Sequence, residues 1–305
     1  MLVYYLAVFC AALLNSVNNV ANKHVVAPHT LGALQATFLI QILAALCSVP
    51  FIIALHQAPP TAAWLPVLVA VALGLGGYVV LMLAFTREDV SVVGPILGLK
   101  VIFLAVLESL LHRTIITPGV ALGALVSMVG ITFISQRDRW SLQTRDLLRP
   151  GVVLMAVAAF AYAVCDLFIK QAITNWNGNS LGVTLYITCF MGVGSLLALA
   201  GQACWSTADR VQWSRIRPVL WPLLISGATV LGTQYALFTA FGLSTSVTFT
   251  NIVYNIRGLL IVGLTAFLVL GRGSTVERAG WRAYTFRATG AVLTLVAIVL
   301  VMYWK

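Results

Sequence analysis

The chain has 305 residues, 61% of them hydrophobic and only 9% charged, with a formal net charge of +10. A soluble globular chain carries about a quarter charged residues, so water is excluded as the main solvent, and disorder would need the opposite bias. The positive excess sits mainly in short connections between apolar runs, where it reads as topology control at a membrane surface rather than as a nucleic-acid footprint.

A helix needs about 20 mainly apolar residues to cross the hydrocarbon core. The runs predict ten such spans: 2–22, 31–55, 64–85, 91–111, 117–135, 151–173, 180–203, 218–241, 246–270 and 284–304. They do not alternate apolar and polar residues as barrel strands would. The first span lacks a basic leader and runs on into an asparagine-rich stretch, so it is read as retained. Its Asn15, Asn18, Asn19 and Asn22 are spaced i, i+3, i+4, i+7 and form one amide stripe. Such a stripe either lines a cavity for a polar metabolite or binds neighbouring helices. Lys23 and Lys170 lie near helix ends, where snorkelling toward the surface is the expected behaviour.

Charges at membrane depth cost roughly 2.5–3.5 kcal/mol on insertion scales, so each is a candidate for function. Lys100 lies well inside the fourth span and Arg257 inside the ninth. Two cations at one cavity would attract a carboxylate or phosphate. Alternatively, Lys100 pairs with Glu108 and Arg257 with Asp166. Glu108 and Asp166 are candidates for proton coupling, although Glu108 with His112, and Asp166 with Lys170, also have helix-pair spacing. In the sixth span Tyr162 shares a stripe with Cys165, Asp166 and Ile169. In the ninth, Thr248, Asn251 and Asn255 share one face, while Thr250, Tyr254 and Arg257 share another; both cannot line one pore. Gly119, Gly123 and Ser127 permit close helix approach, either to Gly290 and Thr294 or to a second copy. The five cysteines show no metal or disulfide spacing.

The polar connection over 136–150 divides the chain into two halves of five spans. A shift of 157 lays Tyr78 on Tyr235 and Lys100 on Arg257, making both tyrosines cavity candidates. A shift of 147 lays Lys23 on Lys170, Asn19 on Asp166 and Asn15 on Tyr162. Five is odd, so the halves should cross the membrane in opposite directions, which is a transporter signature. The expected fold is an all-α polytopic membrane protein of ten transmembrane helices in two inverted five-helix repeats. Repeat one covers 1–136, the connection 137–150 and repeat two 151–305.

Gly94-Pro95 leading the fourth span, and Thr117-Pro118-Gly119 followed by small residues through Gly130, carry a family resemblance. So does the matching stretch of the second half from Asn251 onward. The chain resembles the EamA-type ten-helix permeases of the drug/metabolite transporter superfamily. It departs from them at Leu111-His112-Arg113, where the family has Gly-Glu, and in its longer, more basic connection before the last span. The resemblance implies alternating access, and related plastid sugar-phosphate translocators hold phosphate with basic residues on their fourth and ninth helices.

The expected function is secondary transport of a small polar metabolite, anionic or zwitterionic, across the inner (plasma) membrane. No metal, no cofactor and no nucleic acid is expected, and the protein is expected not to be an enzyme. The substrate and membrane lipids are the expected partners, with the chain a monomer or homodimer. The alternative is a non-transporting membrane subunit that binds or presents a lipid-linked precursor to partner proteins. Thirteen cations fall in the connections after odd-numbered spans and three in those after even-numbered spans and at the C-terminus. This bias places both termini outside the cytoplasm, against the family's usual description.

Overall fold

A computed structural model describes residues 2–26, 31–55, 57–88, 90, 96–112, 118–135, 149–205, 213–272 and 281–303. The main helices are α1 (Leu2–Val25), α2 (Ala33–Leu55), α3 (Thr61–Arg87), α4 (Leu99–His112), α5 (Pro118–Ser135), α6 (Pro150–Asn175) and α7 (Ser180–Trp205). There follow α8 (Leu220–Leu243), α9 (Val247–Tyr254), α10 (Arg257–Arg272) and α11 (Trp281–Tyr303). One helical turn, Trp213–Ile216, and a 3-10 turn, Arg217–Val219, lead into α8. The described residues form helices and connections without strands. Among the described residues, seven helical segments are long and apolar enough to cross a membrane. Ser91, Gly94-Pro95, Arg113, Thr117 and the connection over 136–148 lie outside the described residues.

Apolar and polar residues are distributed for a lipid solvent. Leu65 is 70% exposed, Phe267 73% and Trp221 75%, whereas Asn22 and Gln41 are fully buried, and Lys100, Asp166 and Arg257 nearly so. Lipid supplies no hydrogen bonds, so the amides and charges turn inward.

Helices of the first half pack on helices of the second: α1 along α8, α2 along α7, α3 along α6 and α5 along α11. The α5–α11 pair uses small residues. A Cβ added at Gly130 would lie 2.7 Å from the Gly290 carbonyl oxygen and 3.0 Å from Thr294 Cγ2, so the backbones approach closely only because a hydrogen stands there. Gly130 of α5 therefore meets α11 of the same chain.

Local chemistry sets the helix ends. Asn177 (φ 52°) and Gly178 (φ 82°) take left-handed conformations, letting Gly178 N donate to Ile173 O at 2.8 Å and close α6. Asn179 Oδ1 accepts from Gly182 N at 2.8 Å and starts α7. The C-termini of α3 and α8 end on lysines from other helices. Lys23 Nζ donates to Phe85 O at 2.6 Å and Glu88 O at 2.8 Å. Lys170 Nζ donates to Phe241 O at 2.7 Å and Ser244 O at 2.6 Å. The expected snorkelling is corrected here: terminal carbonyls have no partner within their own helix, and the negative end of the helix dipole draws the ammonium inward. Replacing Lys170 by Met should lower stability by about 1.5–3 kcal/mol, the range for hydrogen bonds to a charged group. Thermal unfolding of the purified variant measures this, and an unchanged melting temperature would show that the contacts contribute nothing.

Candidate functional site

A cavity of about 110 Å³ lies among the central helices. A water needs roughly 10–15 Å³ of such space, so the cavity has room for several waters or a small polar molecule. Its most distinctive wall is built where two helical segments break. Leu97 and Gly98 form a turn before α4, and Asn255 and Ile256 form one between α9 and α10. The span expected over 246–270 is therefore two helices. The cations follow the breaks: Lys100 is the second residue of α4 and Arg257 the first of α10. Interrupted helices of this kind occur at membrane depth where the freed backbone faces protein or a cavity.

Lys100 pairs with Asp166 of α6, Nζ to Oδ2 at 2.5 Å, and both side chains are buried. Asn251 Nδ2 donates to the same carboxylate oxygen at 2.8 Å. Arg257 Nη2 donates to Leu97 O at 3.3 Å, joining one broken segment to the other. Its guanidinium carbon lies 4.4 Å from the Tyr254 ring centroid, and its Nε has no hydrogen-bond partner. Lys100 Nζ lies 5.9 Å from the Tyr162 ring centroid. Two cations thus line a buried cavity in which one carboxylate, Asp166, pairs with Lys100. The pairing differs from the expected alternative, because Asp166 takes Lys100 rather than Arg257.

Glu108 is elsewhere. Its Oε1 accepts from Val247 N at 3.0 Å and its Oε2 from Ser246 Oγ at 3.1 Å, while Ser246 Oγ accepts from Phe249 N at 3.2 Å. Glu108 and Ser246 together cap α9, where backbone N–H groups lack helical partners. Asp166 and Lys170, four residues apart, do not pair, since each has a partner on another helix.

The asparagine stripe divides. Asn15 and Asn18 line the cavity. Asn19 Nδ2 donates to Asn15 Oδ1 at 2.8 Å, and Asn22 Nδ2 donates to Tyr78 OH at 2.9 Å. Ser226 Oγ of α8 lies 2.6 Å from Asn18 Oδ1 and 2.5 Å from Asn22 Oδ1. Part of the stripe therefore holds α1 to α3 and α8, as buried amides commonly do. Tyr78, Tyr162, Tyr254, Lys100, Asp166 and Arg257 all line the cavity. Asn251 stands behind Asp166, and Asn255 is the buried residue that ends α9. On the split face of the ninth span, it is the Tyr254 and Arg257 side that reaches the cavity.

Tyr235 does not reach it. The residue is 46% exposed on the outside of α8, and its neighbour Gln234 lines the cavity instead. Matching structural roles relate α3 to α8 by 156 rather than 157: Phe85 and Phe241 each offer a carbonyl to a lysine, as do Glu88 and Ser244. One residue is about 100° of helix, enough to turn a side chain from cavity to lipid. Cys165 of the sixth-span stripe lines the cavity too, as do Gln41, Thr233, Gln234 and Met191, which are not among the candidates read from the sequence. An amide within an apolar span is the signal that would have found Gln41 and Gln234, by the same logic that found the charges.

Residues 2–136 match the EamA-like transporter family. Over those residues the chain is similar to a family of transporters, and its long apolar helices make it a multi-pass membrane protein. No curated protein sequence matches it. Twenty-eight solved chains do match. Among them is a crystal structure with a TM-score of 0.65, covering 97% of this chain and 95% of that chain at 14% sequence identity. At that identity the likeness concerns the fold alone, and it extends over both halves.

Proposed function

We propose that the protein is a secondary transporter of a small anionic or zwitterionic metabolite in the inner (plasma) membrane. The observation that carries this reading is the buried cavity lined by two cations, Lys100 and Arg257, and by the Asp166 carboxylate, which pairs with Lys100. A buried charge without a counter-ion is costly, and the guanidinium can offer a carboxylate or phosphate two parallel hydrogen bonds. Asn15, Asn18 and Tyr254 would contact the polar body of the substrate. Asp166 is the better placed acid for proton coupling, because it lines the cavity and Glu108 does not.

Ten spans fit this reading if α4 with the residues before it, α5 and α11 join the seven long apolar segments. Repeat one is then 1–136 and repeat two 151–305, joined over 137–150. Two features support an inverted arrangement. The packing of α1 on α8 is matched by that of α6 on α3, and the Lys23 staple on α3 by the Lys170 staple on α8. In oppositely directed repeats the two staples stand at opposite faces, so each would close one face and alternating access would open them in turn.

A thermal-shift series of the purified protein with small carboxylates and phosphates, followed by uptake into liposomes holding the protein alone, tests the function. Stabilisation should grow with ligand concentration, and the stabilising anions should be those that move. A protein that no small anion stabilises would refute the reading.

The charge bias supports an orientation with both termini outside the cytoplasm. Lys23 and Lys170 are held by helix carbonyls and Arg287 is buried within α11, which leaves eleven cations against two on the remaining connections and C-terminus. A C-terminal reporter that fluoresces only in the cytoplasm is expected to stay dark; bright cells would reverse the orientation.

A further inference from the structure

The charges occupy α4, α6 and α10, but another wall of the same cavity, on α2 and α8, is polar and carries no charge. Gln41 of α2 is fully buried and lines the cavity, and neither its Nε2 nor its Oε1 has a hydrogen-bond partner in the described structure. Thr233 of α8 is 6% exposed and lines the same cavity, and its Oγ1 also lacks a partner. Next to it, Gln234 is partly used: its Oε1 accepts from Thr188 Oγ1 at 2.6 Å, while its Nε2 has Met191 Sδ at 3.9 Å. The contrast with the asparagines of α1 is informative. Asn18 and Asn22 are bound to Ser226 and Tyr78, and where an oxygen is left over, at Asn19 and Asn251, the nitrogen of the same amide is bound, whereas Gln41 is without a partner at both ends. A buried carboxamide left without partners in the same bundle is a destabilising choice for folding alone, since an apolar side chain of similar size would avoid the loss.

We propose that Gln41 and Thr233 form a second, uncharged subsite of the cavity, which takes a neutral hydrogen-bonding group, an amide or a hydroxyl. The inference rests on the transport reading above and deepens it. The carried molecule has an anionic end for Arg257 and Lys100 and a neutral donor–acceptor end for Gln41 and Thr233. A carboxamide presents two N–H donors and a carbonyl acceptor, and the threonine hydroxyl adds one of each. The group that complements them both donates and accepts. Anions with a purely hydrocarbon tail would leave these atoms unpaired and should be discriminated against.

The test uses the full-length purified protein and three small probes of matched length: butanoate, succinamate, which carries a terminal carboxamide, and uncharged butanamide. Melting temperature is followed against probe concentration for the wild type and for Gln41→Leu. Succinamate should act at about tenfold lower concentration than butanoate on the wild type, the difference expected of one or two added hydrogen bonds. Gln41→Leu should erase that gap while keeping the butanoate response, and without any probe it should melt no lower than the wild type. A lower melting temperature of the probe-free variant would mean that the amide serves folding, and would overturn the subsite. Equal action of butanoate and succinamate on the wild type would overturn it while leaving the anion site standing. So would a gap that survives in Gln41→Leu. Stabilisation by butanamide alone, lost in Gln41→Leu, would uphold the subsite and refute the anion site. No response to any probe would refute both.

Discussion

Asp166→Ala should be the most destabilising single change in the cavity, costing about 3–5 kcal/mol, the usual penalty for removing one partner of a buried ion pair. The carboxylate binds Lys100 Nζ and Asn251 Nδ2 together, so its removal orphans a buried ammonium and leaves the Asn251 amide with only its bond to Val247 O. The expected signs are a lower melting temperature and a lower yield of folded protein. Two controls separate charge from packing. Asp166→Asn keeps the shape but not the charge, and should still lose most of the stability. Lys100→Met combined with Asp166→Leu removes both charges and should recover much of it, because the desolvation penalty of each ion disappears with the pair. A small inorganic anion should also partly rescue Asp166→Ala, since the variant's cavity holds two cations and no carboxylate. If Asp166→Ala melts like the wild type, the pair does not hold these helices together.

Much of this site was legible in the residues because lipid makes buried polarity costly. The rule that a charge at membrane depth needs a reason found Lys100, Asp166 and Arg257, and helical spacing found the amide stripe of α1. Partners were harder to read. Spacing of three or four residues proposes neighbours on one helix, such as Glu108 with His112 and Asp166 with Lys170. The observed partners are on other helices, where tertiary packing decides: Glu108 caps α9, Asp166 binds Lys100, and Lys170 holds the end of α8. The break at Asn255–Ile256 does not lie at a proline and interrupts a run whose hydropathy is continuous. Hydropathy records the solvent around a segment rather than the path of its backbone. Tyr235 shows how fine the remaining distinction is. Laid on α8 with a shift of 157 rather than 156, Tyr78 meets an exposed ring in place of a cavity amide.

The second large effect concerns binding rather than folding. Arg257→Ala should lower affinity for an anionic ligand at least about 100-fold, consistent with losing two charge-assisted hydrogen bonds of about 1.5–3 kcal/mol each. Little stability should be lost with it. Among the polar contacts seen for the guanidinium, the hydrogen bond goes to the Leu97 carbonyl, and Nε is unpaired. Without this cation, Lys100 and Asp166 remain as a neutral pair and the cavity offers an anion no excess positive charge. Arg257→Lys keeps the charge but not the planar fork, and should retain an intermediate affinity, about tenfold below the wild type. Lys100→Ala makes the useful contrast. It too should weaken anion binding, but it strands Asp166 in the interior, so its loss of affinity comes with a loss of stability that Arg257→Ala should not share. Titrating the tightest-binding anion against all three variants, alongside melting curves without ligand, separates these outcomes. Wild-type affinity in Arg257→Ala would remove the anion from this end of the cavity. Equal destabilisation of Arg257→Ala and Lys100→Ala would show that the arginine is part of the framework.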